Sequence, residues 1–238
     1  MKVDLLAFGA HPDDVELGAG GTISGEIASG RKVGIIDLTR GELGTRGTAE
    51  DREKEAAASA AILGVEFRTN LCFRDGFFQN DEPHQLALIA QLRYYRPTVV
   101  ICNAVADRHT DHGKGAVLVS ESCFLSGLRK IKTFWNGIEQ AAWRPSAVFH
   151  YIQDRYIKPD FVVDITGQMD KKMEAVKAFR TQFHDPDSKE PETPISSPDF
   201  LEFLYARATE FGRPAGFRYA EGFTVERTAG VSSLFDLR

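Results

Sequence analysis

Short, nearly continuous apolar runs alternate with longer segments of mixed polarity along the first half of the chain. Residues 3–9 (VDLLAFG) and 33–38 (VGIIDL) have the pattern of strands covered on both faces, residues 98–103 (TVVICN) repeat it, and 66–72 (EFRTNLC) repeat it more weakly. Between these runs, residues 14–29, 49–63 and 83–95 predict helices. The second is the clearest, with Thr48 as a cap, Glu50 and Asp51 in the first turn, and Gly64 as the stop. Further on, the pattern predicts a helix over 111–128, strands over 147–152 and 161–165, and a helix pair over 169–183 and 199–211. The stretch between that pair, HDPDSKEPETPISSPD, is rich in Pro, Ser and charge and reads as an ordered lid or a mobile loop.

A strand–helix–strand rhythm argues for parallel strands joined by right-handed crossovers. The expectation is an α/β chain with a Rossmann-like three-layer fold, a mainly parallel central sheet and a small C-terminal strand/helix extension. With no internal repeat and no convincing linker, residues 1–238 read as one domain. Composition narrows the field. A net charge of −5 argues against a nucleic-acid surface, and no apolar run approaches the roughly 20 residues that span a bilayer. The first ten residues read as a strand rather than a signal segment. Three cysteines, Cys72, Cys102 and Cys123, lack metal-type spacing and read as small buried hydrophobes of a reducing, cytoplasmic setting.

Ligands of open parallel sheets bind at the carboxyl ends of the strands. After the first strand comes AHPDD, after the second TRGELGTRG, and after the fourth ADRHTDHGKG. A capping role explains any one of these turns. It does not explain why His11, Asp13, Asp14, His109, Asp111 and His112 fall in two of them. A dinucleotide site needs G-x-G-x-x-G, and two carboxylates in that turn would repel a pyrophosphate; Gly18, Gly20 and Gly21 fall inside the helix, where they allow close packing. Metal binding fits better. His11 and Asp14 are spaced H-x-x-D, His112 adds a third ligand, and two imidazoles with a carboxylate suit an open Zn²⁺ site. The plainer alternative has Asp14 capping the helix and His112 on the surface.

On the metal reading, Asp13 is free to accept a proton from water, and His109 to stabilise an oxyanion or protonate a leaving group. Asp111 either orients a histidine or caps its helix. Arg40, Arg46, Arg52 and Arg108 crowd the same edge and suggest an anionic or polyhydroxyl substrate. Arg52 and Arg108 lead as substrate-binding residues; Arg40 and Arg46 serve equally well to pin the glycine-rich loop.

AHPDD followed by HTDH resembles the LmbE-like (PIG-L) family of zinc-dependent N-acetylglucosamine deacetylases. TRGELGTRGT, DRHTDH, TPIS and YAEGF further resemble the N-acetylglucosaminyl-malate deacetylases of the bacillithiol pathway. The likeness spans nearly the whole chain and implies one Zn²⁺ per chain held by His11, Asp14 and His112. It also implies Asp13 as general base, His109 as the oxyanion-stabilising histidine, and Arg52 as a substrate or acetate contact. Thr110 stands where the family commonly has proline. The implied activity is hydrolysis of the acetamide of a glucosaminide of L-malate, with a small-molecule sugar substrate, no nucleic acid and no membrane. A homo-oligomer is implied as well, with a hexamer among the options; Phe211 and Phe217 could serve an interface or the core. Deacetylation of another N-acetylglucosamine glycan, cleavage of mercapturate-type thiol conjugates, and a metal-dependent carbohydrate-binding module remain as alternatives.

Overall fold

The computed structural model describes residues 2–183 and 188–236. The expected alternation is present: β1 (Leu5–Gly9), α1 (Asp14–Ala28), β2 (Val33–Thr39), α2 (Ala49–Leu63), β3 (Phe67–Phe73), α3 (Glu82–Tyr95), β4 (Val99–Cys102) and α4 (Thr110–Ser126). A short hairpin, β5 (Phe134–Trp135) and β6 (Ile138–Glu139), precedes β7 (Ala147–Tyr151), β8 (Phe161–Asp164), α5 (Met169–Lys177), α6 (Pro198–Gly212) and β9 (Ala220–Val225).

The main sheet runs β3-β2-β1-β4-β7-β9-β8. The first five strands are parallel, and β9 pairs antiparallel with both β7 and β8. β1 and β2 are buried along their whole length, which is why they read as continuous apolar runs. Alternate residues feed two cores. Leu6, Phe8, Ile36 and Leu38 pack against Leu88 and Leu92 of α3 and Leu118 and Val119 of α4. Leu5, Ala7, Val33 and Ile35 pack with Val15, Ala19 and Ile23 of α1, Leu63 of α2 and Ala175 of α5. The result is a three-layer α/β sandwich. Strand order reverses between β1 and β4, which opens a crevice at their carboxyl ends.

Several expectations need correction. The helix predicted over 169–183 stops at Lys177, because the following turn is drawn toward α2: the Thr181 N–H donates to Glu55 Oε1 (2.7 Å), and its carbonyl accepts from Arg46 Nε (2.9 Å). The apolar pattern does not predict β9, since Glu221 and Gly222 break it. Nor does it predict the β5–β6 hairpin, which turns through Asn136 (φ 49°) and Gly137 (φ 79°). Cys102 and Cys123 are buried, but Cys72 is exposed: it lies on the edge strand with φ 55°, its N–H bonded to Asn70 Oδ1 (2.7 Å). Phe211 is 5% exposed and belongs to a core cluster against which Phe217 packs.

Of the Pro- and Ser-rich stretch, residues 184–187 lie outside the described residues. Beyond them, Glu190 Oε1 accepts from the Gly47 N–H (2.9 Å). Among the described residues no helix is long and apolar enough to cross a membrane.

Candidate active site

Four strand ends converge at the crevice. After β1 the chain turns through His11, Pro12, Asp13 and Asp14. Asp13 takes φ 118° and ψ −26°, a conformation that L-residues rarely adopt, and this turns the two adjacent carboxylates apart. Asp14 faces the protein: Oδ2 accepts from the His11 N–H (2.9 Å) and Asn103 Nδ2 (3.0 Å), and Oδ1 accepts from Gln153 Nε2 (2.9 Å). Asp13 is 5% exposed and lines the cavity.

His11, His109 and His112 form a triangle with ring centroids 4.6, 5.6 and 5.2 Å apart. Each of His11 and His112 presents one ring nitrogen to Asp14 and the other to a backing carboxylate. His11 Nδ1 lies 3.5 Å from Asp14 Oδ2, while Nε2 meets Asp75 Oδ1 at 3.0 Å and Asp111 Oδ2 at 3.7 Å. His112 Nε2 lies 3.0 Å from Asp14 Oδ1, and Nδ1 meets Asp107 Oδ2 at 2.5 Å. Histidines oriented in this way by carboxylates are a regular feature of metal sites. Ligand atoms of His11, His109 and His112 converge closely enough to hold one ion, as do those of His11, Asp75 and Asp111. The donor set fits a borderline divalent cation.

The two open roles of Asp111 are now distinguishable. His109 is the N-cap of α4, its Nδ1 accepting from the Asp111 N–H (3.2 Å). Asp111 instead accepts from the Gly76 N–H (2.7 Å), forms an ion pair with Lys114 Nζ (2.7 Å), and faces His11. Because Nδ1 of His109 is an acceptor, a neutral ring carries its proton on Nε2.

Burial opposes charge on His112, yet Asp14 and Asp107 outweigh it and raise its pKa to about 9. His109 moves the other way, lowered by burial and by the other two histidines. Burial, helped by Asp14 and Glu16, raises Asp13 to about 7 against the pull of Arg52 and His11.

The arginines divide. Arg52 is 7% exposed and lines the cavity; its guanidinium sits beneath Gly41 and Gly44 and bonds Gln182 Oε1, and its Nε has no partner among the described residues. Arg108 also lines the cavity, but it is exposed and paired with Asp154 Oδ2 (2.8 Å). Arg46 does pin the glycine-rich loop, through Thr181, while Arg40 pairs with Glu50 on the surface.

Sequence reasoning missed Asn103, Asp75 and Gln153, which follow β4, β3 and β7, and it gave no role to Asp107. The strand-end rule that flagged the other turns was the available signal. Asp75, Asp107 and Gln153 line one cavity with His11, Asp13, Asp14 and His112, and it measures about 490 Å³. Its far wall is apolar, built from Phe200, Phe203, Leu204 and Phe211 of α6 with Ile195.

This fold and cluster define a class. A family model described as GlcNAc-PI de-N-acetylase (PIG-L) matches residues 6–123. The diacetylchitobiose deacetylase of Thermococcus kodakarensis is 30% identical over 233 residues, covering 92% of this chain and 81% of that protein. The chain therefore belongs to the PIG-L (LmbE-like) deacetylase family. Among solved structures, the conserved protein TT1542 from Thermus thermophilus is 38% identical, with a TM-score of 0.85 over 97% of this chain and 98% of its own. N,N'-diacetylchitobiose deacetylase from Pyrococcus horikoshii, complexed with its inhibitor MPG, is 29% identical, with a TM-score of 0.77 over 93% of this chain and 83% of its own.

Proposed function

We propose that this chain, acting as one domain over residues 1–238, is a metal-dependent N-deacetylase of an N-acetylglucosamine-type sugar. The observation that carries the reading is Asp13: a buried carboxylate without a protein hydrogen bond among the described residues, held beside the His11, Asp14 and His112 cluster and facing the cavity. In this reading His11, Asp14 and His112 hold the ion, and zinc is the metal that the donor set suits best. When bound, a divalent cation supplies Lewis-acid polarisation of an amide carbonyl and acidifies water.

The chain's own residues do the rest. Asp13 takes the proton of water as the water oxygen bonds to the acetamide carbon. His109 donates from Nε2 to the carbonyl oxygen as negative charge develops there. When the C–N bond breaks, the proton held by Asp13 passes to the departing amine, leaving acetate and the free amino sugar. In this reading Arg52, beside Asp13, holds the acetyl end or the acetate. Asp75, Asp107 and Asp111 keep the two imidazoles aimed at Asp14.

For the substrate, the motif resemblance supports the L-malate glycoside of N-acetylglucosamine, with Arg52 and Arg108 as the cations offered to its carboxylates. Arg108 would have to exchange Asp154 for malate. The likeness to diacetylchitobiose deacetylases supports a second reading, a short N-acetylglucosamine oligosaccharide. The family resemblance supports a homo-oligomer, with a hexamer among the options, and the free cysteines support a cytoplasmic setting.

Release of acetate and free amine from the malate glycoside, from N,N'-diacetylchitobiose and from free N-acetylglucosamine tests the reading and ranks the substrates. Activity is expected to vanish after verified metal removal and to return with zinc, and His11→Ala should lose both metal and turnover. Full turnover without metal would overturn the metalloenzyme reading. Hydrolysis of none of the three sugars would overturn the substrate class.

A further inference from the structure

Residues 153–155, just past β7, reach the His/Asp cluster by two routes. The Gln153 amide donates from Nε2 to Asp14 Oδ1 (2.9 Å), while its Oε1 accepts from Asn103 Nδ2 (3.0 Å) and from the Ala104 N–H (3.2 Å). Two residues on, the Arg155 N–H donates to Asp107 Oδ1 (2.6 Å), whose other oxygen holds His112 Nδ1 at 2.5 Å. The backing of both Asp14 and His112 therefore depends on where three consecutive residues sit.

These residues belong to no strand or helix. Arg207 of α6 holds them instead. Its Nη1 donates to the Gln153 carbonyl (2.9 Å) and its Nη2 to the Asp154 carbonyl (3.0 Å). The guanidinium is confined by aromatic rings, with its central carbon 4.8 Å from the Phe203 centroid, 5.5 Å from Phe211 and 5.8 Å from Tyr156. A planar fork can satisfy two carbonyls at once in a fixed orientation; a lysine ammonium lacks that geometry.

We propose that Arg207 is a positioning residue for the metal-binding cluster. From α6 it fixes residues 153–155, and through Gln153 and Asp107 it fixes the Asp14 carboxylate and the His112 ring. The inference rests on the metal reading above. It extends that reading by making α6, the apolar wall of the cavity, a support for ligand geometry as well.

The test is zinc affinity, measured on purified full-length protein by competition with a chromophoric chelator. Arg207→Ala is expected to bind zinc about 10–100-fold more weakly, the usual cost of losing an outer partner of a metal site. Its circular dichroism spectrum should be unchanged. Arg207→Lys should recover only part of the affinity, and Gln153→Ala should weaken it too. The double variant should lose less than the product of the two single losses, because the residues act along a shared chain of contacts. A folded Arg207→Ala protein with wild-type zinc affinity and a lowered melting temperature would show a packing role only and overturn the proposal. If that variant does not fold, unchanged affinity in both Arg207→Lys and Gln153→Ala overturns it equally. Wild-type protein that takes up no divalent metal would overturn the metal reading and this inference together.

Discussion

Asp13 bears two penalties at one residue. Its φ of 118° is a backbone state that costs a side-chain-bearing residue about 1–3 kcal/mol, and its carboxyl is buried beside that of Asp14. Both are tolerable if the residue is kept for chemistry. Asp13→Gly is therefore expected to unfold at higher urea concentration than wild type, gaining about 1 kcal/mol or more from relief of strain, while losing turnover. Asp13→Asn keeps the strain, should keep its metal, and should lose roughly 10²–10⁴ in rate, the usual worth of a positioned base. Asp14→Asn should instead lose metal affinity, since its oxygens face His11 and His112 at 3.5 and 3.0 Å. A less stable Asp13→Gly would remove the strain argument. Metal loss in Asp13→Asn with retention in Asp14→Asn would reverse the roles of the two carboxylates.

At the scale of elements, α1 carries glycines where propensity alone would place alanine. A Cβ at Gly18 would overlap the ring of Tyr151, which is fully buried and donates its hydroxyl to the Phe8 carbonyl (2.8 Å). A Cβ at Gly21 would lie 2.8 Å from three carbons of Ile165. Alanine gains about 1 kcal/mol of helix propensity, but forced overpacking costs about 1–3 kcal/mol. Gly18→Ala should thus lower the urea midpoint. Gly25→Ala, whose new Cβ would find only Gln168 Cγ at 3.7 Å, should raise it; a stabilised Gly18→Ala would refute the packing argument. The same contrast explains what was legible in the sequence. Strands buried on both faces write continuous apolar runs, so β1, β2 and β4 were readable, as was α2 from its cap and stop. β9 was not, because Glu221 is buried by virtue of Lys172 Nζ at 2.6 Å and the Gly21 and Thr22 N–H groups of α1, and Gly222 because Phe211 and Ile152 press on it; these causes are distant in the chain. At the site, His11, Asp13, Asp14, His109 and His112 could be read from residue type and spacing. Asp75 and Gln153 are lone polar residues after strands and look like caps until the sheet order brings them to Asp14 and His11.

At the scale of the whole molecule, two contacts tie the C-terminal extension to the parallel half, one buried and one partly exposed. Glu221 accepts from the Gly21 and Thr22 N–H groups of α1 (2.9 and 2.7 Å), and Glu226, just past β9, meets His150 of β7 (3.1 Å). The second contact should make stability depend on pH. His150 Nδ1 lies 2.9 Å from the Asn103 carbonyl, which only accepts, so that nitrogen carries a proton; Nε2 faces the Glu226 carboxylate, which favours a second one. Burial opposes the resulting charge, but the Cys102 sulfur, Glu226 and the Asn103 carbonyl outweigh it and push the pKa up to about 11. An unfolded histidine titrates near 6.5. A pKa raised on folding means that the stabilisation is complete below about pH 6.5 and is lost progressively as pH rises toward 11, at no more than about 1.4 kcal/mol per pH unit. Urea unfolding of wild type should therefore show stability falling between about pH 7 and 9.5, inside that window. His150→Gln should show a shallower fall over the same range, whatever its stability at neutral pH. Glutamine can still donate to the Asn103 carbonyl, so the difference in slope reports the imidazolium–Glu226 pair rather than the loss of packing. Equal slopes in the two proteins would mean that His150 is neutral in the fold and that the pair is not what closes the extension onto the sheet.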